Sequence, residues 1–204
     1  MHSALRLVLL VTALAVAGLM VQRTSAEPKE NAPASALPGA AQDRGDWTIS
    51  PPRAITVPGV SYFHASFTTT LDEMERVGPE LEELFKTIRE ADIDLFAEQS
   101  GYVTFVYKGV QADRSKPFQL SIGITVPRGT QAVGKYEVKD LPDFKCAAAA
   151  YNGPLSSLPA AYQKHYGDLM AAGHMPTDEV REVYLYWEGF DSANNVVWIQ
   201  AGIQ

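Results

Sequence analysis

One order of local patterns, extended, helical, extended, extended, occurs twice in this chain, and a duplication on that scale leaves few architectures open. Arg53 to Thr69 reads as extended, with a break at Pro58-Gly59. A helix is predicted over about 71–90. Thr70 and Glu73 have capping-box spacing, and Met74, Val77, Leu81, Leu84, Phe85 and Ile88 recur on one helical face. Gly78-Pro79 interrupts that stripe, which predicts a kink or two pieces. The β-branched and aromatic runs 102–108 and 118–126 read as strands. The second statement begins with an extended stretch from Lys135 to Tyr151, broken at Leu141-Pro142-Asp143. A second helix is predicted over about 157–172, capped by Ser156 or Ser157, with Pro159 in its first turn and Gly173 after its end. Leu158, Tyr162, His165 or Tyr166, and Leu169 mark its apolar face. The runs 181–188 and 195–203 are again a pair of strands. Tyr107-Lys108-Gly109 aligns with Trp187-Glu188-Gly189, and Ile122-Gly123-Ile124 with Ala201-Gly202-Ile203. Units of about 53–127 and 134–203 are too long for solenoid repeats, so the expected fold class is α+β, a duplicated βαββ module. Each helix is expected to cover one face of its own antiparallel sheet. The other face is left for the partner unit or for a ligand between the two.

The stretch before the repeats is of another kind. Every Phe, Tyr and Trp lies at or after Trp47, so residues 1–46 lack the side chains that most cores are built from. Arg6 precedes an apolar run from Leu7 to Val21, and Gln22-Arg23-Thr24-Ser25-Ala26 then presents small residues suited to a signal peptidase. Residues 1–26 are read as a signal peptide cut after Ala26, with an anchor and membrane tether through residues 5–21 as the alternative. Both readings place the protein outside the cytoplasm, in the periplasm, the cell envelope or the medium. Residues 27–50, rich in Ala, Pro, Glu and Asp, read as a disordered linker, with Trp47 and Ile49 the first residues able to dock on a domain at 51–204.

Cleavage would remove Arg6 and Arg23 and no acid, taking the formal net charge from −7 to −9. No basic run is present to neutralise phosphates, so nucleic acid is not an expected partner. Cys146 is the single cysteine, which rules out an intramolecular disulfide, and its apolar neighbours mark it as a buried strand residue. His64, His165 and His174 stand apart from one another, without metal-ligand spacing, so neither a metal nor a cofactor is expected.

Three segments carry a resemblance to a known family. Arg181-Glu182-Val183-Tyr184-Leu185 resembles the Glu-x-Tyr strand of the GyrI-like effector-binding domains. Tyr151-Asn152-Gly153-Pro154-Leu155 is similar to that family's Gly-Pro turn before its second helix, and Phe118 to Pro127 to its fourth strand. The resemblance spans roughly Arg53 to Gln204. It implies two βαββ units about a pseudo-twofold axis, with a groove between them for hydrophobic or cationic small molecules. Many relatives follow a DNA-binding domain and sense drugs. This chain carries a leader and a linker there, so the regulator role does not carry over. Some relatives hydrolyse strained electrophiles with the groove glutamate, and the related SOUL branch includes haem binders. His165 is the one candidate haem ligand and is more simply a packing residue.

Strand alternation then names a candidate site. Val183, Leu185 and Trp187 share one face, expected under a helix, and Glu182, Tyr184, Tyr186 and Glu188 share the other. The corresponding strand is expected to put Val103, Phe105 and Tyr107 on the first face and Tyr102, Thr104 and Val106 on the second. The predicted ligand-binding residues are Glu182, Tyr184, Tyr186, Tyr102 and Thr104, an acid among aromatic rings suited to a cationic ligand. The leading reading is an exported binding module. A hydrolase with Glu182 as general base, and Tyr102 or Tyr184 orienting the leaving atom, is a second. A non-catalytic envelope interaction protein is a third.

Overall fold

The structure, a computed structural model, describes residues 42–43, 45–97 and 99–204. The predicted leader and most of the predicted linker lie outside the described residues. The strands are β1 (Gln42–Asp43), β2 (Thr48–Ile49), β3 (Arg53–Val57), β4 (Val60–Thr69), β5 (Val103–Lys108), β6 (Phe118–Val126), β7 (Glu137–Leu141), β8 (Phe144–Asn152), β9 (Pro176–Tyr186) and β10 (Val196–Ile203). Helix α1 (Val77–Glu90) lies between β4 and β5, and α2 (Leu158–Ala171) between β8 and β9. The two units have the same order of pairing. β4 pairs with β6 and β6 with β5; β8 pairs with β10 and β10 with β9.

The expectation of separate sheets, each under its own helix, is corrected. All the strands belong to one ten-stranded sheet, because β5 and β9 pair and join the two halves. Their register sets Thr104 opposite Val183, with Val103 opposite Tyr184 on one side and Phe105 opposite Glu182 on the other. The two ends of the sheet approach each other where β3 turns into β4 and β7 into β8. At those corners, the predicted breaks at Pro58-Gly59 and Pro142-Asp143, the Gly59 N–H donates to Asp143 Oδ1 at 2.8 Å. A Cβ on Gly59 would come within 2.6 Å of the Leu141 carbonyl oxygen, so only glycine fits the crossing.

Both helices pack on the same face of this sheet. The α1 stripe of Val77, Leu81, Leu84, Phe85 and Ile88 is buried together with Phe105, Ile122 and Ile199 from the strands. Each of those side chains contributes about 1.5–3 kcal/mol on burial, which is what holds a helix of this length to the sheet. The opposite face is lined by Tyr62, Val106 and Leu141. There the Tyr62 hydroxyl donates to the Thr104 carbonyl at 2.6 Å.

Local details differ from expectation in two places. The Thr70–Glu73 box forms only a backbone turn, and neither helix has a side-chain cap. Each helix instead continues from a 3-10 turn, Met74–Arg76 and Leu155–Ser157, whose own start is likewise without a side-chain cap. Gly78-Pro79 falls in the first turn of α1, where proline is tolerated, so the two pieces are the 3-10 turn and the helix. The domain also begins before residue 51. Trp47 (8% exposed) and Ile49 (1%) are buried, Thr48 and Ile49 pair with β8, and the Ser157 hydroxyl donates to Asp46.

Candidate functional site

The central strand pair presents Val103, Phe105 and Tyr107 from β5, and Glu182 and Tyr184 from β9, toward the helices. Between α1, α2 and these strands lies a cavity of about 140 Å³. Val77 and Leu81 of α1, Leu158 of α2, and Trp187 and Phe190 from the loop after β9 complete most of its wall. The wall is apolar except at one point.

That point is Glu182, which is 4% exposed. Tyr107 and Tyr184 both donate to its Oε2 at 2.9 Å, and Tyr162 of α2 donates to its Oε1 at 2.8 Å. Burial pushes the Glu182 carboxyl above the ordinary carboxylate range, and the three hydroxyls pull it back only in part. Burial first, and then the Glu182 charge, push all three phenols well above their usual value, so they stay protonated and act as donors. No ion pair to Glu182 forms among the described residues. Arg181, the preceding residue, points to the other face, where it pairs with Glu179 at 2.8 Å and lies over the Phe144 ring. The buried carboxylate thus keeps hydrogen bonds but lacks a counter-charge. Phe105 and Tyr184 pack with ring centres 5.1 Å apart, and Trp187 meets Tyr184 edge-on at 6.0 Å.

Of the five residues that strand alternation singled out, the structure brings two to the cavity, Glu182 and Tyr184. Tyr186 is 38% exposed. Tyr102 and Thr104 alternate with the lining residues of β5 and lie off the wall, Thr104 on the opposite face of the sheet. One extra residue in β9 accounts for all three. Val196 pairs with Tyr186 but Val197 pairs with Tyr184, so Leu185 is skipped in a bulge and the alternation flips beyond it. Aligning Tyr107 with Trp187 is sound at that end, since both line the cavity. Carried back through the bulge it is off by one, and Val103 and Phe105, not Tyr102 and Thr104, are the β5 residues that face the cavity beside Glu182 and Tyr184. The cavity face and the helix-covered face are therefore one and the same. Val183 and Leu185, expected under a helix, are not.

Sequence reasoning missed Tyr107, Trp187 and Phe190, and it took Tyr162 for a packing residue. Tyr162 alone carried a signal, a hydroxyl on a helix face that otherwise buries apolar groups. Cys146 is buried as expected, and burial pushes its thiol up to about 12, which leaves it unreactive at neutral pH.

Such a fold, with a mostly apolar cavity and one convergent polar cluster, defines an α+β small-molecule-binding domain. The chain belongs to the GyrI-like family: the model of the GyrI-like small molecule binding domain matches residues 51–198. No curated protein gives a significant sequence match. Among solved structures, the EcmrR C-terminal domain aligns with a TM-score of 0.60 at 17% identity, over 75% of this chain and 96% of that one. In an EcmrR–DNA complex the TM-score is 0.61 at 16% identity, and the alignment takes in 78% of this chain but only 57% of EcmrR. SAV2435 bound to tetraphenylphosphonium aligns with a TM-score of 0.55 at 11% identity, over 75% of this chain and 93% of that one. At these identities the likeness is one of fold.

Proposed function

We propose that this domain binds hydrophobic organic cations in the cavity between its helices, with Glu182 as the counter-charge, and that it works outside the cytoplasm. The observation that carries the reading is a carboxylate buried in an apolar cavity, without a cationic partner among the described residues and held in place by three tyrosine hydroxyls. A charge in that position raises the energy of the empty site, and a ligand cation lowers it again. Phe105, Tyr184 and Trp187 supply ring faces beside the acid, suited to cation–π contact. A neighbour of the same fold, SAV2435, is bound to such a cation. The placement outside the cytoplasm rests on the leader-like residues 1–26.

The test is a titration of the protein with aromatic ammonium ions, followed by the emission of Trp187 on the cavity wall. Glu182→Gln keeps the shape and the hydrogen-bonding capacity but removes the charge. Its affinity is expected to fall about 5- to 150-fold, the range for losing a charge-assisted contact in a desolvated site. Equal affinity in the two proteins contradicts the reading.

A further inference from the structure

The surroundings of Glu182 restrict the ligand further than its charge does. A carboxylate offers about four acceptor positions. Tyr107 and Tyr184 occupy two at Oε2, and Tyr162 occupies one at Oε1, which leaves a single position on Oε1. The space is also small. A cavity of about 150 Å³ is on the scale that admits benzene, and this partly open one offers about 140 Å³ between its walls.

The pairing of the two units adds a direction. Across the β5–β9 pairing, apolar Phe105 stands opposite Glu182 and Val103 opposite Tyr184. The helices repeat the contrast: each starts directly after its 3-10 turn, so Leu81 of α1 stands where α2 has Tyr162. Apart from Tyr107, the first unit's side of the box is therefore apolar, and the acid with two of its three tyrosines belongs to the second unit.

We propose that the site selects a compact protonated amine, one ring or its aliphatic equivalent carrying an N–H⁺, over bulky or quaternary cations. The inference rests on the cation-binding reading and narrows it. An N–H⁺ donor completes the fourth position of the carboxylate while its apolar body lies toward Val103, Phe105 and Leu81. A quaternary ammonium presents only C–H groups, so it leaves that position empty and holds its charge farther from the oxygens. Tetraphenylphosphonium carries four rings where the space between the walls holds about one, and the other three would lie outside.

Calorimetric titration with three probes tests this: benzylamine, benzyltrimethylammonium and tetraphenylphosphonium, each against the natural protein and Glu182→Gln. Benzylamine is expected to bind at least about tenfold more tightly than its trimethylated analogue, the difference a hydrogen bond to a charged group makes. Tetraphenylphosphonium is expected to bind more weakly than benzylamine, and the amine preference is expected to disappear in Glu182→Gln. If the quaternary probes bind as tightly as benzylamine or more so, and Glu182→Gln weakens them all, the selectivity is overturned while the cation reading stands. If Glu182→Gln changes nothing for any probe, both fall together. A thermal melt of Glu182→Gln run alongside separates loss of binding from loss of fold.

Discussion

Two buried titratable residues, Glu182 and His165, respond to pH in opposite directions, and each has a variant that isolates it. Glu182 has its carboxyl raised by burial in the folded state. Its contribution to stability is therefore full below the unfolded value of about 4.3 and is lost as pH rises through the folded value. Glu182→Gln is expected to melt at or above the natural protein at pH 8, and to lose that advantage in acid. His165 is 1% exposed, and neither ring nitrogen makes a well-formed hydrogen bond, the Ala147 backbone being a nearby polar group that offsets its burial only in part. Burial lowers its pKa to about 4, so stability is present above about 6.5 and is lost as pH falls toward 4, at roughly 1.4 kcal/mol per unit. At the matching place on α1 stands Leu84, equally buried. His165→Leu is therefore expected to remove that acid sensitivity and to leave stability at pH 8 unchanged or higher. Denaturant melts of both variants at pH 5 and pH 8 measure the two effects.

Among the elements, the strands and helices were largely legible and the way they meet was not. Predicted strand 118–126 is β6, and 102–108 overlaps β5 within a residue, because β-branched and aromatic runs leave a local mark. The helical stripe of α1 was legible for the same reason. The register of β5 on β9 has no local mark, since it joins residues distant in sequence. Nor has the bulge at Leu185, set within a continuous run of strand-forming side chains. Together they hid Tyr107 and Trp187 and misplaced Tyr102, Thr104 and Tyr186. The duplicated glycines mark another constraint. A Cβ on Gly123 would lie 2.3 Å from the Phe63 carbonyl oxygen, whereas on Gly202 it would first meet the Thr177 hydroxyl. Gly123→Ala is expected to destabilise by about 1–3 kcal/mol and Gly202→Ala by less, because a side chain moves aside more easily than a strand backbone. The segment before β3 belongs to the same account. Trp47 packs on Tyr151 with ring centres 6.0 Å apart, and Trp47→Ala is expected to cost about 3–5 kcal/mol in a thermal or denaturant melt. A chain starting at residue 45 should melt like the longer one, and a chain starting at Pro51 several degrees lower.

For the whole molecule, the order βαββ twice over was legible because it needs only local pattern. The single sheet was not, because the pattern is silent on which strands the two units share. The two units contribute unequally to the cavity: Glu182, Tyr184 and Tyr162 come from the second, and Tyr107 is the first unit's share of the polar cluster. The proposed delivery outside the cytoplasm, if it proceeds by cleavage after Ala26, predicts that protein from its own host has lost residues 1–26, which intact-mass measurement decides; a mass that includes them points to the anchor. The central claim is that Glu182 is a caged carboxylate awaiting a cation, and carbon NMR of its carboxyl group through a pH titration tests this most directly. The account predicts a midpoint above that of ordinary glutamates in the free protein, moving down when benzylamine is bound. A midpoint like that of a surface glutamate, indifferent to the amine, would contradict it.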